Sequence, residues 1–115
     1  MANENTALQG TYFSEGVNGT YYTFHITFAD YDAGVIRGRW GKGRFLGHSM
    51  GRSGYHRAAD GTTTDMTLNF IFEKCVLVAT DYKYNRLTGN LVNMFNDEVI
   101  SSIVFNKSKD QIVSD

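Results

Sequence analysis

Residues 20–28, TYYTFHITF, decide the fold. The even positions Tyr22, Phe24, Ile26 and Phe28 are apolar, and Thr23, His25 and Thr27 between them are polar. A period of two lays one face of a strand on a core and turns the other outward. Residues 64–72, TDMTLNFIF, repeat the pattern with Met66, Leu68, Phe70 and Phe72 on one side. Thr67 and Asn69 face the other way, and Ile71 is the exception. No window shows helical spacing with caps.

Outward from these two stretches the same alternation predicts strands over Leu8–Ser14, Thr20–Ala29, Gly34–Trp40, Arg44–Met50, Gly54–Arg57, Thr62–Lys74, Val76–Lys83, Leu87–Met94 and Val99–Asn106. Turn chemistry separates them at Gly16–Gly19, Asp30–Gly34, Ala59–Gly61 and Asn96–Asp97. Connections this short, without helices, imply an antiparallel up-and-down meander. Seven or eight such strands with an aromatic interior predict an all-β protein closed into a small barrel, with a β-sandwich as the alternative. Closure also removes the edge strands that so aromatic a sheet would otherwise expose.

The totals agree with this class. The chain of 115 residues is expected to form one domain over 1–115, with loose termini at 1–7 and 108–115. It contains eight Phe, seven Tyr, one Trp and no Pro, a composition that favours strands. The single cysteine, Cys75, forms no internal disulfide. Short apolar runs argue against a membrane span, and the N-terminus lacks the pattern of a signal peptide. A cytoplasmic protein with no membrane partner is the expectation.

Charge is unevenly distributed. The net formal charge is −1, yet residues 36–57, IRGRWGKGRFLGHSMGRSGYHR, hold Arg37, Arg39, Lys42, Arg44, Arg52 and Arg57 and no acid. Such a segment can neutralise phosphates, with Trp40, Phe45 and Tyr55 placed to stack on bases. Alternation offers the plainer account. Arg37 and Arg39 then point away from Ile36, Gly38 and Trp40, and the glycines mark bends of a curved barrel.

Catalytic signatures are sparse. His25, His48 and His56 lack metal-ligand spacing, so no metal and no cofactor is expected. His48 or His56 has Glu15, Asp65, Glu73 and Asp81 as candidate partners for proton transfer, and the sequence selects none of them. Cys75 beside Lys74 reads as a small buried hydrophobe rather than a nucleophile. Nucleophile-elbow and phosphate-loop patterns are absent.

Two pieces resemble avidin-like barrels and, more broadly, the calycins. Gly10-Thr11-Tyr12-Phe13, a loop, an aromatic strand and Ile36-Arg37-Gly38-Arg39-Trp40 resemble the opening of an avidin-like barrel. Leu87-Thr88-Gly89 followed by residues 100–108 resembles a later segment. The resemblance implies the barrel architecture and a homo-oligomer, with Val92, Met94 and Ile103 as candidate contacts. It does not imply tight biotin binding. Ser14 falls at a polar ligand position, but Trp40 replaces a tyrosine, Lys42 a serine, and Phe72, Leu87 and Val104 replace tryptophans. The strand that supplies an aspartate to the ligand has no counterpart before Asp115.

The first expectation is therefore a non-enzymatic binding protein for a small apolar or aromatic ligand held in the barrel mouth. Tyr12, Tyr22, Trp40, Phe70 and Phe72 would line it, and Ser14 and Asn85 would orient the ligand. The alternative is a nucleic-acid or polyanion module using Arg37, Arg39, Lys42, Arg44, Arg52 and Arg57. A third possibility is a small barrel isomerase or cyclase, with a histidine or carboxylate as base.

Overall fold

Alternating side chains close the chain on itself. The computed structural model describes residues 6–14, 21–30, 33–43, 46–57, 63–80 and 83–108. They form β1 (Gly10–Ser14), β2 (Tyr22–Asp30), β3 (Val35–Lys42), β4 (His48–Ser49), β5 (Ser53–Arg57), β6 (Thr64–Asn69), β7 (Glu73–Ala79), β8 (Arg86–Asn93) and β9 (Val99–Lys107). All pairings are antiparallel. β2 pairs with both β1 and β3, and β1 also pairs with β9, so the sheet has no free edge along its main circuit. The result is an 8-strand up-and-down barrel with one extra strand, the two-residue β4 beside β3.

The period of two sorts most residues as expected, but the bulge after Ile26 turns Phe28 out of the interior and buries Ala29 instead. Tyr12, Phe24, Ile26, Ile36, Trp40, Met66, Leu68, Leu77, Leu87, Ile103 and Phe105 fill the interior. Tyr12 and Phe24 are Cα partners whose rings stack at 4.9 Å, and Phe105 meets Phe24 edge-on at 4.6 Å. Val92 and Ile103 are buried in their own barrel, and Met94 is half-buried.

Curvature comes from bulges and close backbones. The β2–β3 register slips between Ile26 and Phe28 beside Gly38, where an added Cβ would collide with the His25 carbonyl. Gly89 on β8 is equally tight against the Val76 carbonyl. These glycines are therefore the devices of a coiled sheet.

Three strands differ from the sequence reading by more than two residues at a boundary, and one of them, β7, begins at Glu73 rather than Val76. The alternation runs through 62–74, but β6 stops at Asn69 and a tight turn at 71–72 returns the chain, with the Phe70 amide donating to the Glu73 carbonyl at 2.9 Å. No Gly, Asn or Pro marks that turn. Of the strand expected over 44–50, the described residues form only β4, after which the Met50 amide donates to the Gly38 carbonyl at 2.9 Å and the Gly51 amide to the Asn69 carbonyl at 2.8 Å. At the termini, Ala7 packs on the core and the Ser108 amide donates to the Thr11 carbonyl. Residues 1–5 and 109–115, the turns at 16–19 and 59–61, and Arg44, Phe45, Glu15 and Asp81 lie outside the described residues.

Candidate functional site

The two ends of the barrel are built differently. At the end where β1 begins, the Tyr12 hydroxyl donates to the Leu8 carbonyl at 2.9 Å and Leu8 is fully buried. Lys107 donates to the Ala7 carbonyl, and its ammonium lies 5.6 Å from the Tyr12 ring centroid. Tyr84, buried beside them with φ of 54°, brings its hydroxyl within 3.3 Å of the Thr64 hydroxyl. That end is plugged.

The opposite end, where β1 finishes at Ser14, carries aromatic layers. Trp40 and Phe70 stack with centroids 4.3 Å apart, and Tyr22 lies 6.0 Å from Phe70. His48 on β4 covers another part of Trp40 at 4.8 Å. Trp40 is only 3% exposed, and its Nε1–H is buried without a hydrogen-bond acceptor among the described residues. A buried donor left unmatched costs about 1–3 kcal/mol.

Beside this stack a cleft of about 450 Å3 is lined by Trp40, Gly41, Lys42, Gly47, His48, Ile71, Phe72 and Glu73. A second, of about 410 Å3, lies against Phe13, Ser14, Tyr21, Tyr22, Thr23 and Gly43. Glu73 holds the inward register of β7, two residues before fully buried Cys75. Its charge reaches the interior. The Tyr22 phenol is pushed above its ordinary pKa first by burial and then by Glu73, and the Cys75 thiol is pushed up by the same two causes.

Of the residues expected to bind ligand, Tyr22, Trp40 and Phe70 come together here. Ser14 joins them, its hydroxyl accepting from the Tyr22 amide at 2.7 Å. Tyr12 lies deeper in the interior. Phe72 is 61% exposed beside Phe95, their rings 6.1 Å apart, and it borders the cleft from outside the barrel. Asn85 sits at the plugged end, where its carbonyl accepts from the Lys107 amide.

The basic segment spreads over the wall. Arg37 is exposed above Phe28 at 5.7 Å, and Arg39 donates from Nε to the Leu46 carbonyl at 2.9 Å. Arg37 and Arg52 border a groove of about 730 Å3 between β3 and the β4–β5 segment, whose lining includes no carboxylate among the described residues. Lys42 belongs to the cleft at the Ser14 end, and the side chain of Arg57 is outside the description.

Among the proton-transfer pairs left open by the sequence, His48 and Glu73 share the cleft, whereas His56 faces Asp65 across β5–β6. His25 is on the outer face, its Nδ1 2.7 Å from the Thr11 hydroxyl, and burial lowers its pKa. Among the described residues no group of three or more His, Cys, Asp or Glu is arranged to hold a metal. Nor, among the described residues, is any helix long and apolar enough to cross a membrane.

The sequence reading missed the joint placement of Lys42, His48 and Glu73. Glu73 continues the inward series Cys75, Leu77 and Ala79, a signal hidden once the strand boundary was set at Lys74. Comparison with protein-family models, curated proteins and solved structures returns no match for this chain.

Proposed function

We propose that this protein is a non-enzymatic binding module that holds a small, partly aromatic or apolar ligand in the cleft at the Ser14 end of its barrel. The buried Trp40 Nε1–H carries the reading. It is a donor without an acceptor in a wall of aromatic rings, beside a cleft of a size that suits small molecules. A ligand carbonyl or ring nitrogen that reached it would gain a hydrogen bond the free protein lacks, with His48 able to move because it is exposed. The up-and-down barrel is also the architecture that the avidin-like resemblance implies, although the biotin contacts are not matched.

A native mass spectrum at low and moderate ionic strength tests this directly. A discrete small adduct, lost from the Trp40→Phe variant, is expected. An adduct that persists unchanged in Trp40→Phe would overturn the role of the indole.

One observation favours a second reading, polyanion binding. Among the described residues, the lining of the groove bordered by Arg37 and Arg52 has two cations and no carboxylate. Affinity for single-stranded nucleic acid that falls steeply with salt, and is lost on reversing Arg37 and Arg52, would support it. Salt-independent binding would remove it.

A further inference from the structure

The cleft at the Ser14 end carries two opposite charges that do not meet. Lys42 on β3 shares the register of its Cα partner Tyr22, and Glu73 on β7 shares that of Cys75. Both border the same cleft, yet no ion pair joins them. The ion pair nearby is Lys74 with Asp97, 2.8 Å apart, formed by the residue next to Glu73. Among the described residues that line this cleft there are thus one cation and one anion, neither neutralised by the other.

Each charge has a distinct setting. Glu73 is half-buried, and it acts on the Tyr22 phenol and the Cys75 thiol, so its field is directed into the aromatic layers. Lys42 is exposed on a long flexible stem, able to follow a ligand at the outer edge. Ile71, Phe72 and Trp40 supply apolar and aromatic surface between them, and the His48 imidazole completes the lining. A ligand with one charge would satisfy one of these residues and bring its charge close to the like-charged other. A dipolar ligand satisfies both.

We infer that the cleft takes a small zwitterion with an aromatic body, of the size of a free aromatic α-amino acid. Its ammonium faces Glu73, its carboxylate faces Lys42 and accepts from Trp40 Nε1–H, and its ring lies against Ile71 and Phe72. The inference rests on the ligand-binding reading above and adds the charge pattern of the ligand.

The test uses four probes with the same phenyl body: L-phenylalanine, 2-phenylethylammonium, 3-phenylpropanoate and neutral 2-phenylethanol. The chain has one Trp, so its indole N–H gives a single nuclear magnetic resonance signal that reports on the cleft. L-phenylalanine is expected to bind about tenfold or more tightly than any of the other three. Glu73→Gln should erase its advantage over 3-phenylpropanoate, and Lys42→Gln its advantage over 2-phenylethylammonium. Unchanged melting temperatures would show that both variants still fold. Equal binding of a singly charged or neutral probe, or a preference that survives both substitutions, overturns the zwitterion while the cleft stands. If no probe moves the Trp40 signal at millimolar concentration, the zwitterion and the aromatic-ligand reading fall together.

Discussion

Trp40 stacks on Phe70 with ring centroids 4.3 Å apart and planes 13° from parallel, while its indole N–H meets no acceptor. Good packing and poor hydrogen bonding therefore coexist in one side chain. Removing the N–H while keeping an aromatic ring separates the two. Trp40→Phe is expected to cost less than about 2 kcal/mol, against about 3–5 kcal/mol for Trp40→Ala. Denaturant unfolding of both variants checks this, and equal losses would show that the missing acceptor has no energetic weight.

A methyl group at Gly89 has no room, because the Val76 carbonyl and the Leu77 Cα, 2.9 Å away, occupy its place. Gly89→Ala is expected to destabilise by about 1–3 kcal/mol or more, since backbone rather than a flexible side chain must give way. Gly47 has nothing within 4 Å of its would-be Cβ, and Gly47→Ala should stay within about 0.5 kcal/mol of the parent. Similar losses at the two sites would contradict the packing described.

His25 titrates with stability. Burial lowers its pKa below the ordinary 6.5, so the folded state binds a proton less readily than the unfolded chain. Its contribution is complete above pH 6.5 and is lost as pH falls through that value toward the lower folded pKa. Stability should rise with pH across this window, and less so in His25→Gln. A His25 imidazole titrating in the folded protein above 6.5 would reverse the sign.

Cys75 should resist thiol reagents. It is fully buried, and burial and then the charge of Glu73 raise its pKa, so little thiolate exists near neutral pH. Modification should proceed at the rate of unfolding, and denaturant should accelerate it. Fast labelling under native conditions would show that the interior opens at this strand.

Much of the fold was legible because one rule governs it. Tyr22, Phe24 and Ile26 face inward as their spacing requires, and so do Met66, Leu68 and Phe70. The rule failed at Phe28, past the bulge in β2, and again at residue 72. Alternation continues through Phe72, but the chain has already turned, and the phenyl ring faces outward beside Phe95. Local pattern cannot register a turn made of Ile and Phe, which is set by the hydrogen bond between Phe70 and Glu73. The site was partly legible for the same reason. Tyr22, Trp40 and Phe70 follow from the inward register, whereas Asn85 was assigned without knowledge of which barrel end it occupies. The Lys42–Glu73 relationship needs strands β3 and β7 placed around one opening, and only long-range closure supplies that.

The seam of the barrel also sets the order of events in folding. β1 joins β9 through Tyr12 opposite Lys107, and the Lys107 ammonium reaches Ala7, 100 positions earlier in the chain. A growing chain can form the meander from β1 through β8 by neighbour-to-neighbour pairing, but the closing stave waits until β9 has been synthesised. Until then β1 presents an unpaired flank, and Phe105 is missing from its place against Phe24. Closure is thus a late, distant contact of the kind that slows folding and leaves aromatic surface open to other chains. A nascent chain halted before Val99 should need a chaperone far more than one released after Lys107.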